Sequence, residues 1–159
     1  MPLFIREVHD RNESLVDELL VIWERSVRAT HAFLSDAEVR RIKGYVPQAI
    51  EAVEHLVIAE SDGPDGEKPV AFMGIQSDRL EMLFVSPEYR GGGIGKWLLQ
   101  HGIEGYGVAE LTVNEQNPQA IGFYEHIGFV AYKRSNRDEE GGPYPILYMH
   151  RAGQCLGLG

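Results

Sequence analysis

Leu83-Phe84-Val85-Ser86-Pro87-Glu88-Tyr89-Arg90-Gly91-Gly92-Gly93-Ile94-Gly95-Lys96 is the stretch that decides the reading of this chain. A β-type apolar run stops at a proline, a basic glycine-dense loop follows, and an amphipathic helix opens at Ile94. Glycines let the backbone turn sharply and come close to a ligand. Unpaired N–H groups at a helix start, with the helix dipole behind them, hold an anion. The segment reads as a diphosphate cradle. A glycine-rich turn that merely caps a helix is the plainer alternative.

Spacing separates one cradle from another. A P-loop needs glycine five residues before its final Gly-Lys pair and Ser or Thr after the lysine. Arg90 and Trp97 stand at those places. A dinucleotide fingerprint needs Gly-x-Gly-x-x-Gly. Counted from Gly91 it ends on Lys96, so it fails too. What remains, Arg90-Gly91-Gly92-Gly93-Ile94-Gly95, resembles the Arg/Gln-x-x-Gly-x-Gly/Ala loop of the GNAT family of N-acetyltransferases. A second block begins 27 residues after Arg90: Asn117-Pro118-Gln119-Ala120-Ile121-Gly122-Phe123-Tyr124-Glu125-His126-Ile127-Gly128-Phe129. It is similar to that family's Asn-x-x-Ala-x-x-Phe-Tyr-x-x-x-Gly-Phe block, with room for one helix and one strand between the two. The resemblance extends more weakly over roughly residues 3–150, including Trp23–Leu34 and Gly142-Pro143-Tyr144-Pro145.

The rest of the chain is read from pattern. Leu3–Val8 is expected as a strand. Asp10 or Asn12 caps a helix to about Ala29, with Leu15, Leu19, Ile22, Trp23 and Val27 on one face. Ser35 and Glu38 are spaced as a capping box for a helical stretch to about Ala52, which Pro47 kinks or divides. His55–Glu60, Val70–Gln76 and Arg79–Val85 read as strands, with a hairpin connection at 62–67. Ile94–Glu104 is a helix with Ile94, Trp97, Leu98 and His101 or Gly102 facing inward. Ala109–Val113 is a strand, Pro118–Ile127 a helix, and Phe129–Arg134 and Ile146–His150 the last strands. A polar acidic loop covers 135–142.

Strands that first form a meander and then alternate with helices predict an α+β or mixed α/β domain over 1–152, with helices on both faces. Residues 153–159 are expected as a flexible tail. The resemblance implies a mixed, mostly antiparallel sheet of six to seven strands. Two adjacent parallel strands splay apart, and the pantetheine arm fills the gap like an added strand.

At 159 residues and 43% hydrophobic content, one domain with a real core is expected. No apolar run approaches the ~20 residues of a membrane span, and the start lacks the pattern of a secretory leader. The lone Cys155 forms no internal disulfide and fits a reducing cytoplasm. Net charge of −9 disfavours nucleic acid and agrees with a cationic amine acceptor. No His pair has metal-ligand spacing, so no metal is expected. A monomer and a homodimer both stay open.

The resemblance implies an acetyl-CoA-dependent N-acetyltransferase, moving the acetyl group to a primary amine by direct attack in a ternary complex. The alternative is a non-catalytic acyl-CoA binding or sensor protein. By the same resemblance, coenzyme binding falls to the backbone of Leu83, Phe84 and Val85 and to Arg90, Gly91, Gly92, Gly93, Ile94, Gly95 and Lys96. Asn117 either touches the pantetheine or caps the helix that Pro118 starts. Tyr124 matches the family tyrosine that protonates the leaving thiolate. Many relatives carry a Glu on the strand before the asparagine block, where Thr112 and Asn114 stand here. Glu81, His31, Asp78 or a water chain are then the candidates for the base. Gly142-Pro143-Tyr144-Pro145 is either a turn that narrows the acceptor pocket, with Tyr144 touching a small-molecule or peptide amine, or a plain turn before an edge strand.

Overall fold

A computed structural model describes residues 2–64 and 66–152. The expected tail and Cys155 lie outside the described residues. The chain begins with strand β1 (Leu3–Glu7), then helix α1 (Glu13–Thr30), α2 (Asp36–Lys43) and α3 (Val46–Ala52). A hairpin-connected set follows: β2 (His55–Gly63), β3 (Gly66–Gln76) and β4 (Arg79–Val85). The second half runs α4 (Ile94–Tyr106), β5 (Glu110–Asn114), α5 (Pro118–Ile127), β6 (Phe129–Ser135) and β7 (Ile146–Arg151).

Local chemistry accounts for the helix starts. Asn12 accepts from the Leu15 amide at 2.9 Å, which settles the choice between Asp10 and Asn12. Ser35 accepts from the Glu38 amide at 3.1 Å, but the Glu38 carboxylate turns away to Arg41 and Tyr144, so only half of the expected capping box forms. The expected helical stretch 35–52 is divided, with the break at Gly44 and Tyr45 and Pro47 in the first turn of α3.

The seven strands form one sheet in the order β1-β2-β3-β4-β5-β7-β6. Every neighbour is antiparallel except β4 and β5. Alternation along the strands feeds two cores. Val57, Ala59, Ala71 and Met73 face α4 and α5 with Leu98, Leu99 and Phe129. Leu56, Ile58 and Phe72 face α1–α3 with Leu19, Trp23 and Ile50. On α4 the buried face is Ile94, Leu98, Leu99 and Gly102. Of the expected pair His101 or Gly102, Gly102 is the one that faces inward, whereas Trp97 is 39% exposed, against expectation. The face through Ile94, Leu98 and Gly102 is the expected one, but it widens toward Leu99 rather than toward Trp97.

Parallel pairing between β4 and β5 is confined to Arg79–Glu110 and Leu80–Leu111. On the other side of β4, Leu80 pairs with Ile75 and Met82 with Gly74, so Glu81 is an extra, bulged residue. A bulge bends its strand and re-aims side chains. It also shifts the alternation by one, so that Met82 and Phe84 pack toward α1 and Leu83 and Val85 toward α4. Pairing with β5 stops one residue before this bend. The two strands diverge from there, which is the splay that the resemblance implied.

Candidate active site

The divergence opens a cleft of about 510 Å³. One wall is the far half of β4, including Glu81, Leu83, Phe84 and Val85. The other is β5 beyond its last paired residue, with Thr112, Val113 and Asn114. Backbone groups that would otherwise ladder across the sheet are left facing this gap.

The glycine loop closes one end. Arg90, Gly91, Gly93, Ile94, Gly95 and Lys96 all border the cleft. Gly92 is not among the lining residues. Gly91 and Gly93 have φ of 82° and 84°, a region that side chains with a Cβ disfavour, and Gly93 is the N-cap of α4. The cap has no side chain, so the first amides of α4 stay available for an anion. A diphosphate fits this donor set, with Arg90 and Lys96 adding positive charge. The turn before the loop is pinned to α1: Arg25 donates to Glu88, and Ser86 Oγ donates to the same carboxylate at 2.5 Å. Those bonds hold the Glu88 carboxyl down at about 2, with Arg25 the larger cause.

Tyr124 stands on α5 at the side of the cleft. Its ring meets Phe123 and Phe129 edge-on at 5.3 and 6.2 Å, which fixes its direction. The hydroxyl has no hydrogen-bond partner among the described residues. Desolvation pushes the phenol up to about 12, so it is fully protonated at neutral pH. Asn117 forms the expected helix cap, its Oδ1 accepting from the Ala120 amide at 3.2 Å, and it also borders the cleft.

Two of the candidate bases border the same cleft and one does not. Glu81 is half-exposed, and burial is the main cause that raises its carboxyl above the usual range, with Arg79 opposing. His31 follows the last turn of α1, and burial lowers its imidazole below 6.5. Thr30 Oγ1 donates to the Ser26 carbonyl at 2.8 Å. The hydroxyl proton is then spent, so His31 Nδ1–H donates to Thr30 Oγ1 at 2.7 Å. This network leaves Nε2 as the basic atom of a neutral ring. Asp78 is exposed in the β3–β4 turn, and its carbonyl accepts from the Ala109 and Glu110 amides at the start of the parallel pair. It does not line the cleft.

Thr30, beside His31, also borders the cleft, and so does Ser26, which was not singled out from sequence. The available signal was two hydroxyls four apart on the otherwise apolar face of α1, Ser26 being buried. Gln119 was missed as well; its Oε1 accepts from Arg90 at 3.3 Å and steadies that cation beside the cleft.

A splayed mixed sheet with a glycine loop at one end of the gap defines a class of acyl-coenzyme A transferases. Comparison with known proteins gives the family: the model of the acetyltransferase (GNAT) domain matches residues 52–131. The peptidyl-lysine N-acetyltransferase YjaB of Escherichia coli (strain K12) is 38% identical, over 93% of this chain and 95% of its own. The solution structure of apo-form YjaB from Escherichia coli superposes with a TM-score of 0.83 at 35% identity, covering 96% of this chain and 99% of that one. The structure of yncA from Salmonella typhimurium, solved with its cofactor acetyl-CoA, shares the fold at a TM-score of 0.63 and 17% identity, over 94% and 92% of the two chains. The chain belongs to the GNAT family and is an acetyltransferase.

Proposed function

We propose that this acetyltransferase binds acetyl-CoA in the β4–β5 gap and transfers the acetyl group directly to the ε-amine of a peptidyl lysine. The observation that carries this reading is the convergence of the glycine loop, Tyr124, Glu81 and His31 on one cleft. The peptidyl-lysine N-acetyltransferase activity for which the YjaB relatives are named supports lysine as acceptor. Net charge of −9 favours approach of a cationic side chain.

When bound, acetyl-CoA supplies a thioester that an amine can attack. The amides of Gly91–Gly95 and the Arg90 guanidinium hold its diphosphate, and backbone groups of Leu83–Val85 stabilise negative charge at the acyl oxygen. His31 Nε2 takes the proton that makes the lysine neutral, with Glu81 as the second base. Tyr124 Oη gives its proton to the departing sulfur. No nucleophilic side chain is required, since the amine reaches the acyl carbon itself.

Thiol release from acetyl-CoA in the presence of lysine-containing peptides tests the reading. Turnover is expected to need both substrates at once, giving intersecting initial-velocity lines. Parallel lines would indicate an acetylated enzyme, and no release with any amine would leave a non-catalytic acyl-CoA binding protein.

A further inference from the structure

The turn that leads into the glycine loop is held by a closed triangle of hydrogen bonds. Ser86 follows the last residue of β4 and is buried, and its amide donates to the Val70 carbonyl of β3 at 2.8 Å. Its Oγ donates to Glu88 Oε2 at 2.5 Å. Arg25 of α1 closes the triangle, donating from Nη2 to Glu88 Oε1 and from Nη1 to Ser86 Oγ at 3.4 Å. Among the described residues, Arg25 is the only side chain of another element that hydrogen-bonds residues 86–89. Ser26 and Tyr89, which follow Arg25 and Glu88 in the chain, both border the cleft. The triangle therefore stands at the rim where α1 meets the entrance of the glycine loop.

We propose that Arg25 and Glu88 are positioning residues, which fix the entrance of the glycine loop against α1 and so hold the acyl carbon in register with His31 at the end of that helix. This rests on the acetyl-transfer reading above. Arg25 lies in α1 and His31 is its C-cap. Six residues at 1.5 Å each put them about 9 Å apart along the axis, and a helix carries a constraint at one end to the other. Ser86 ties the same triangle to Val85, whose backbone faces the acyl oxygen in that reading. Arg25 and Glu88 are each half-exposed, so their ion pair adds little to stability. Its effect falls on geometry, where misplacing reacting groups by about 1 Å costs up to ~10²-fold in rate. The loop amides and Arg90 still hold the diphosphate without it, so rate responds more than coenzyme affinity.

The test uses Arg25→Ala, Glu88→Ala and the two combined. Hydrogen–deuterium exchange of the full chain, read by mass spectrometry, follows the Tyr89 and Arg90 amides, which close the turn on the Ser86 and Pro87 carbonyls. Their exchange is expected to quicken about tenfold in each variant. With acetyl-CoA and a lysyl peptide, kcat is expected to fall about tenfold in either single variant and no further in the double, while acetyl-CoA affinity changes by about threefold or less. Unchanged exchange would overturn the brace. Additive losses of kcat would overturn the pairing of the two residues. Faster exchange with an unchanged kcat, or with a loss carried wholly by acetyl-CoA affinity, would overturn the positioning role. Absence of turnover with every amine, in the wild type too, would remove the acetyl-transfer reading and this role with it, while the exchange still reports the brace.

Discussion

Tyr124 is the residue with the sharpest consequence. Its ring is fixed by Phe123 and Phe129, and its hydroxyl makes no bond that would be lost elsewhere among the described residues. Tyr124→Phe is therefore expected to leave packing and acetyl-CoA affinity nearly intact and to lower kcat by ~10²-fold. Steady-state kinetics that retain more than half of the wild-type kcat would make it a packing residue. His31 and Glu81 separate by pH. A base works only when unprotonated, and burial lowers His31 from 6.5 and raises Glu81 from 4.5. If His31 is the base, the acid limb of kcat/KM lies below the ordinary histidine value and is lost in His31→Gln. A limb that persists there and vanishes in Glu81→Gln would transfer the role. The same depression has a stability sign: the folded state disfavours imidazolium, so its contribution is present above the unfolded value near 6.5 and is lost as pH falls. Tyr124 was legible from sequence because its block has specific spacing. The His31 tautomer was not, because it depends on Thr30 bonding back to Ser26, which is visible only once α1 is built.

At the scale of elements, the glycine loop and the β4 bulge divide the work. The loop was legible because glycine at a positive φ and a helix start leave a residue-type signature, and Gly93 at φ 84° carries it. Replacing Gly93 with leucine is expected to weaken acetyl-CoA binding about tenfold or more, some 1.4 kcal/mol, in a protein that still folds. Calorimetric titration with unchanged affinity would contradict the cradle. The splay entered through resemblance, and its physical cause was not legible: a bulge at Glu81 is a matter of register between β3 and β4, and Glu81 looks like any polar strand residue. Register also explains why alternation alone would place Met82 and Phe84 on the wrong face. Asn117 stands between β5 and α5. Its helix cap predicts a loss of about 1 kcal/mol in Asn117→Ala, read by denaturant unfolding, separate from any change in coenzyme binding.

For the whole molecule, the meander-then-alternation pattern was enough to place two helical layers on one sheet, and Asn12, Ser35, Asn117 and Pro118 marked helix starts correctly. The exposure of Trp97 was not predicted, since aromatic residues at a helical spacing read as core. The coenzyme site proposed above is one gap in one sheet, floored by the glycine loop. A ligand held there spans β4 and β5, which pair at only two positions, and so ties the two halves of the sheet together. At 100 times its dissociation constant such a ligand adds about 2.7 kcal/mol to stability. Thermal melts with acetyl-CoA titrated into the wild type and Gly93→Leu measure this directly. The melting temperature of the wild type is expected to rise with acetyl-CoA, and the variant to need about tenfold more ligand for the same rise. A wild type that gains no stability, or a variant that responds identically, would contradict it.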